Sequence, residues 1–188
     1  MIYLFLADGF EEIEALATVD ILRRASLPVL TVSVTACRAV RGSHDITVEA
    51  DAVLGEELFA SGSAHFTSGD ALVLPGGMPG AANLDACKPL HALLHEAAEA
   101  GALLAAICAA PSVLGHAGLL AGCRATCYPG FEQELLHATP TGALVEHDRG
   151  VVTGKGPGAA FAFAYKLVDI ITGSTAASQS LRKGMIAE

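Results

Sequence analysis

The chain has 188 residues, 52% of them hydrophobic, which lets one domain over residues 1–188 bury roughly 70% of the surface its unfolded chain would expose, without staples. Its 20 acidic residues against 11 basic ones give a formal charge of -9, which repels phosphate backbones and anionic membrane surfaces and argues against nucleic acid or a membrane as partner. The first apolar run ends at Asp8 with no basic n-region, unlike a signal peptide or a membrane span, and an odd number of scattered cysteines fits free thiols in a reducing, cytoplasmic compartment.

In chain order, short apolar runs alternate with amphipathic stretches, the pattern of an α/β domain with a mostly parallel central sheet flanked by helices. Ile2–Leu6 reads as the first strand. Asp8 and Gly9 turn the chain into a helix over 12–25, with an expected apolar stripe of Ile13, Leu16, Ala17 and Ile21 and an i,i+4 pair of Asp20 with Arg24. A second strand is expected at 29–34, short strands in a hairpin excursion over 39–55, and a Gly/Ser-rich loop over 60–69. A third strand, Ala71–Leu74, runs into PGGMPG, and a helix over 89–100 has Gly101 as its C′ residue. Leu103–Ile107 is apolar without alternation, as in a strand covered on both faces, and stops at Cys108; Pro111 then opens a helix to 117. Beyond it we expect a strand at 124–126, a helical turn at 131–136, and strands at 144–146 and 151–153. Gly156-Pro157-Gly158 opens a helix that is apolar nearly all round and so predicted to be deeply buried; Gly173 ends it before a final polar helix.

Three constellations could carry chemistry. Cys108 stands at the carboxyl end of a strand with a helix N-terminus just beyond, where ligands bind in open α/β sheets and where free N–H groups would stabilise a thiolate. The alternative is a small buried hydrophobe at a packed junction. In LPGGMPG, successive backbone N–H groups can face a ligand, with Gly77 and Ala109 as the natural oxyanion pair, although a plain tight turn fits the same residues. Neither this turn nor Gly154-Lys155 matches a P-loop.

The third constellation is DGFEEIE. Glu11 and Glu12 are explained by a helix N-terminus, whereas Glu14 could point back toward the elbow. At about 4 Å from the sulfur, two negative charges would repel by roughly 4 kcal/mol at an effective dielectric near 20, or about three pKa units. The pair should therefore share one proton, the useful form being a protonated Glu14 donating to a thiolate. His91 and His95 lack the glutamate of H-E-x-x-H, and Cys123 and Cys127 lack partner ligands, so no metal or cofactor is expected. A solvated helix face and a loop account for Arg23, Arg24, Arg38 and Arg41.

Taken together, LADGFEEIEA, VDILRRA, LPGG, AAICAAP, ATCYPGFE and GPG resemble, in that order and over essentially the whole chain, the ThiJ/PfpI superfamily and within it the Parkinson disease protein 7, or protein deglycase, clade. The resemblance implies a flavodoxin-like fold, as in class I glutamine amidotransferase domains, and a homodimer. It makes Cys108 the reactive nucleophile, Glu14 the acid that hydrogen-bonds it, and Gly77 and Ala109 the backbone donors; Gly76, Met78, Tyr128 and His44 are the implied substrate-binding positions. The implied activities are glutathione-independent conversion of methylglyoxal to lactate (glyoxalase III), deglycation of early carbonyl adducts, and redox sensing or chaperone-like action through oxidation of Cys108. Tyr128-Pro129 departs from the histidine that precedes proline in the better-known animal members, and a phenol is a poor general base at neutral pH. His44 stands where an arginine for a small anion is expected. Ala109 rather than histidine follows the cysteine, against the peptidase branch.

Overall fold

The computed structural model describes residues 1–55 and 65–187, so that 60–64 of the expected Gly/Ser-rich loop lie outside the described residues. In chain order the elements are β1 (Ile2–Leu6), α1 (Glu12–Arg24), β2 (Val29–Ser33), β3 (Ala39–Arg41), β4 (Thr47–Glu49), β5 (Ala52–Val53), β6 (Ala71–Leu74), α2 (Gly80–Asp85), α3 (Lys88–Glu99), β7 (Leu103–Ile107), α4 (Pro111–His116), β8 (Arg124–Ala125), β9 (Thr139–Pro140), β10 (Val145–Asp148), β11 (Val151–Gly154), α5 (Ala160–Thr172) and α6 (Thr175–Gly184).

Among the described residues, the central sheet runs β10-β11-β7-β6-β1-β2-β5. Every neighbour pair in it is parallel except β10 with β11. All residues of β6 and β7 are buried, as expected of strands covered on both faces. Alternation along β1 sends Phe5 into one apolar layer with Leu84, Leu90 and Leu94 of α2 and α3, and Leu4 and Leu6 into the other with Ile21, Leu22, Phe163 and Leu167 of α1 and α5. From β1 the order proceeds to β2 on one side and β6 on the other. The connections leave in opposite directions there, and this opens a crevice beyond the carboxyl ends of β1 and β6.

Several expectations need correction. On α1, Ile21 is buried, but Ile13 and Leu16 are exposed and the inner face is Glu14, Ala15, Thr18, Val19, Ile21 and Leu22. The helix is rotated because Glu11 caps it and Glu14 is drawn inward, which a count of apolar spacings does not register. On α5, Phe163, Leu167 and Val168 are buried but Phe161 is exposed, so burial does not run all round. Helix α2 was not anticipated, since its six residues are too few to display a period. Strand β8 pairs with β9 in a separate ribbon, and β3 with β4 forms the expected hairpin while β5 joins the sheet edge beside β2. Arg24 and Asp20 pair at 2.6 Å as expected. Among the described residues, no helix is long and apolar enough to cross a membrane.

Candidate active site

Between the end of β7 and the start of α4, Cys108 adopts φ 66°, a left-handed conformation that costs a non-glycine residue on the order of 1–3 kcal/mol. Two backbone hydrogen bonds hold it there. Its N–H donates to Gly154 O at 2.9 Å, and its carbonyl accepts from Tyr128 N–H at 2.7 Å. The elbow expected from sequence is thus present, clamped between β11 and the segment after β8, with Cys108 only 8% exposed.

The turn after β6 fits against this elbow only because it lacks side chains. A Cβ on Gly76 would stand 2.6 Å from Cys108 Cβ and 2.8 Å from Glu14 Oε2. Gly77 has φ 86°, and a Cβ on it would collide with the Glu11 backbone nitrogen. Glu11 N–H donates to Gly76 O at 2.9 Å, while the Glu11 carboxylate caps α1 by accepting from Glu14 N–H at 2.7 Å. This cap aims Glu14 at the elbow, where its Oε2 accepts from Gly76 N–H at 2.8 Å. Glu11 therefore positions the acid as well as starting the helix.

Burial, at 1% exposure, is the main force on Glu14; it pushes the carboxyl up to about 7 against hydrogen bonding to Cys108 and to Gly76 N–H, with the Glu11 charge adding to the rise. Glu14 Oε1 is buried and makes no hydrogen bond. The thiol of Cys108 is pushed up to about 12, first by burial, then by the charge of Glu14 and the hydrogen bond between them, while Gly77 and Ala109 N–H groups bonded toward it pull the other way. This corrects the expectation of a thiol lowered by the helix N-terminus: α4 has only six residues, and desolvation outweighs its N–H groups. Between about 7 and about 12 the pair holds one proton. Moving that proton from sulfur to Glu14 removes the charge that opposes the thiolate, so the nucleophile and the protonated acid form in one step.

The remaining predicted residues lie at differing distances from this pair. Gly76, Gly77 and Ala109 are brought together around the sulfur, and Met78 is exposed on the same turn. Tyr128 contributes its backbone N–H to the elbow, and its ring, 47% exposed, lies over Gly156. His44 is held by Glu12: its Nδ1 is 2.7 Å from Glu12 Oε2 and its backbone N–H donates to Glu12 Oε1 at 2.7 Å. Burial alone would raise Glu12, but hydrogen bonds from His44 and the backbone outweigh it and bring the carboxyl down to about 2; Glu12 in turn raises His44. Glu11, Glu12 and His44 could place ligand atoms within 4.8 Å of one another, but Glu12 is already engaged by the His44 backbone N–H and ring. His91 lies 3.3 Å from Asp85 rather than on a free solvated face. All five cysteines are free. Sequence reasoning missed Gly154 as the acceptor that holds Cys108; the glycine that ends a buried strand was the available signal.

Comparison with known proteins points in one direction. Residues 1–170 match the DJ-1/PfpI family. Protein DJ-1 homolog B of Arabidopsis thaliana is 38% identical over 89% of this chain, and protein dj-1beta of Drosophila melanogaster is 33% identical over 96% of this chain and 94% of its own length. The glutathione-independent glyoxalase DJR-1.2 of Caenorhabditis elegans is 31% identical over 95% of this chain and 91% of its own. The chain spans only 37% of Arabidopsis homolog B and 43% of homolog A. Among solved structures, a mutant DJ-1 superfamily protein from Salmonella typhimurium superposes with a TM-score of 0.91 at 35% identity, covering 100% of this chain and 98% of that one. The oxidized DJ-1 of Toxoplasma gondii superposes with a TM-score of 0.89 at 31% identity, covering 98% and 97%.

Proposed function

The chain belongs to the DJ-1/PfpI family, and we propose that it is a cysteine-dependent enzyme of reactive aldehydes that converts methylglyoxal to lactate without glutathione. Deglycation of early carbonyl adducts adds one step, in which the C–N or C–S bond to the carrier breaks and the carrier leaves with a proton. The observation that carries the reading is the coupled pair: a buried carboxyl raised to about 7 that shares a proton with a thiol toward which Gly77 and Ala109 N–H groups converge. The similarity to a relative named as a glutathione-independent glyoxalase supports it.

In this reading the Cys108 proton passes to Glu14 as sulfur adds to the aldehyde carbon. The Gly77 and Ala109 amides hold the resulting oxyanion, which takes that proton back from Glu14 to become a thiohemiacetal and leaves Glu14 a carboxylate. Glu14 next carries the C1 hydrogen to C2 through an enediol, leaving C1 oxidised as a thioester and C2 reduced to an alcohol. Water hydrolyses the thioester, so one water is consumed, lactate and a proton leave, and the thiol returns. No step needs a cofactor. Glu14 carries the protons that relatives could share with a histidine at the position of Tyr128. The same site acts as a redox sensor if peroxide oxidises the thiolate, transferring oxygen to sulfur and releasing water; a second equivalent gives the sulfinate, to which a protonated Glu14 donates. The similarity to an oxidized Toxoplasma structure favours keeping this second reading.

We further read the protein as one domain, a cytoplasmic homodimer with a small aldehyde substrate. The deciding experiment is lactate formation from methylglyoxal without glutathione, for wild type beside Cys108→Ala and Glu14→Gln. Turnover that falls at least about a hundredfold in both variants is the expected result. Absence of turnover in wild type, with a thiol that still oxidises under peroxide, would leave the sensor alone.

A further inference from the structure

Beside the elbow lies a cleft of about 270 Å3 whose walls are Tyr128, Pro129, Leu144, Pro157 and the small residues around them, with Lys155 as its only charged lining residue. The cleft is tied to the nucleophile on two sides. Tyr128 N–H donates to the Cys108 carbonyl, and Cys108 N–H donates to the carbonyl of Gly154, the residue before Lys155. Across the cleft, the Tyr128 ring rests on Gly156, where even a Cβ would approach it to 3.1 Å. The walls thus adjoin the backbone that carries Cys108.

Methylglyoxal carries a single methyl beyond its two carbonyl carbons and leaves this cleft unfilled. What would fill it is set by the lining. Tyr128 and Leu144 are exposed apolar side chains that gain from covering by carbon. Lys155 Nζ donates to Gly142 O at 3.1 Å, which occupies one of its three protons. Among the described residues, no carboxylate lies within ion-pair distance of Lys155, although the chain has 20 acidic residues and 11 basic ones. An unpaired ammonium at an otherwise apolar cleft complements a carbon chain that ends in an anion.

We propose that this cleft is a subsite for the tail of the carbonyl substrate and that Lys155 binds a carboxylate at the end of that tail, so that the preferred substrates are acidic 2-oxoaldehydes. The inference rests on the aldehyde reading above. Chemically, an acidic 2-oxoaldehyde plus water gives a 2-hydroxy dicarboxylate and a proton, with C1 oxidised and C2 reduced as before.

The test compares kcat/KM for 4,5-dioxopentanoate with that for uncharged 2-oxopentanal, with methylglyoxal as the reference. Wild type should prefer the acid by about tenfold, the effect of one charge-assisted hydrogen bond. Lys155→Met should reduce that ratio to about one, and Lys155→Arg should retain most of it. No preference in wild type, or the same preference in Lys155→Met, overturns the subsite. If wild type turns over neither methylglyoxal nor the acid, the glyoxalase reading has failed, and the subsite is judged by binding. 4-Oxopentanoate should then protect the Cys108 thiol from iodoacetamide where 2-pentanone does not, and Lys155→Met should lose that protection. Equal protection by both ketones, or by neither, overturns it.

Discussion

Glu12 and Glu14 share the first turn of α1 and are both almost wholly removed from water, yet their carboxyls are driven apart, to about 2 and to about 7. Burial raises both. The difference lies in what meets each one. Glu12 takes the His44 backbone N–H on one oxygen and the His44 ring, with the Ser43 hydroxyl, on the other. Glu14 has one backbone donor, an oxygen with no hydrogen bond, a thiol that holds its own proton, and the charge of Glu11 nearby. Two carboxylates of one helical turn thus divide into a fixed anion that ties the β3–β4 hairpin to the helix and a carboxyl beside Cys108 whose proton is held near neutral pH.

The largest expected break in this comparison comes from Glu14→Gln. A carboxyl whose folded pKa is raised favours the folded state fully below its unfolded value of 4.5 and loses that contribution as pH rises through about 7. Wild type should therefore lose up to about 3 kcal/mol between pH 4 and pH 8 relative to the glutamine variant, read as the difference in urea midpoints across that range. Parallel curves would mean that Glu14 ionises in the fold as it does in the unfolded chain.

Gly76→Ala comes next. Its Cβ would meet Cys108 Cβ, Glu14 Oε2 and the Ile107 carbonyl within 2.8 Å, and two of these belong to the pair itself. We expect about 2 kcal/mol of destabilisation, seen as a lower Tm, together with a changed pH profile of thiol alkylation. A normal Tm and profile would show that the turn after β6 can retreat from the elbow.

The smallest effect sharpens the other half of the comparison. Glu12→Gln should cost about 1 kcal/mol at pH 7 by weakening its hydrogen bonds to His44 and Ser43. Because the folded pKa of Glu12 is lowered, its contribution is present above 4.5 and fades as pH falls through about 2, so the gap between wild type and variant should close over that window. A gap that widens on acidification would refute the assignment of Glu12 as the fixed anion.

Much of this arrangement was legible in residue order. The unalternating run before Cys108 reads as a covered strand, Pro111 suits a first helical turn, and paired glycines after β6 fit a close approach of backbone as well as a plain tight turn; the structure has the strand, the helix start and the close approach. The rotation of α1 was not legible, because Ile13 and Leu16 fit a 3.6-residue stripe as well as Ala15 and Leu22 do, and the choice depends on a cap and a distant partner. Nor was the thiol's direction, since the pull of N–H groups was visible in the motif but the dry surroundings were not.

By itself, then, the sequence determined most of the elements, their order, the parallel sheet and the candidate residues Cys108 and Glu14, since periodicity, turn residues and helix starts act over a few neighbours. The tertiary structure alone decided that Gly76 meets Glu14 across 62 positions of chain, that His44 bonds to Glu12, and that Tyr128 and Lys155 line one cleft. Solvation and charge act through space, and only the folded chain fixes which groups lose their water together.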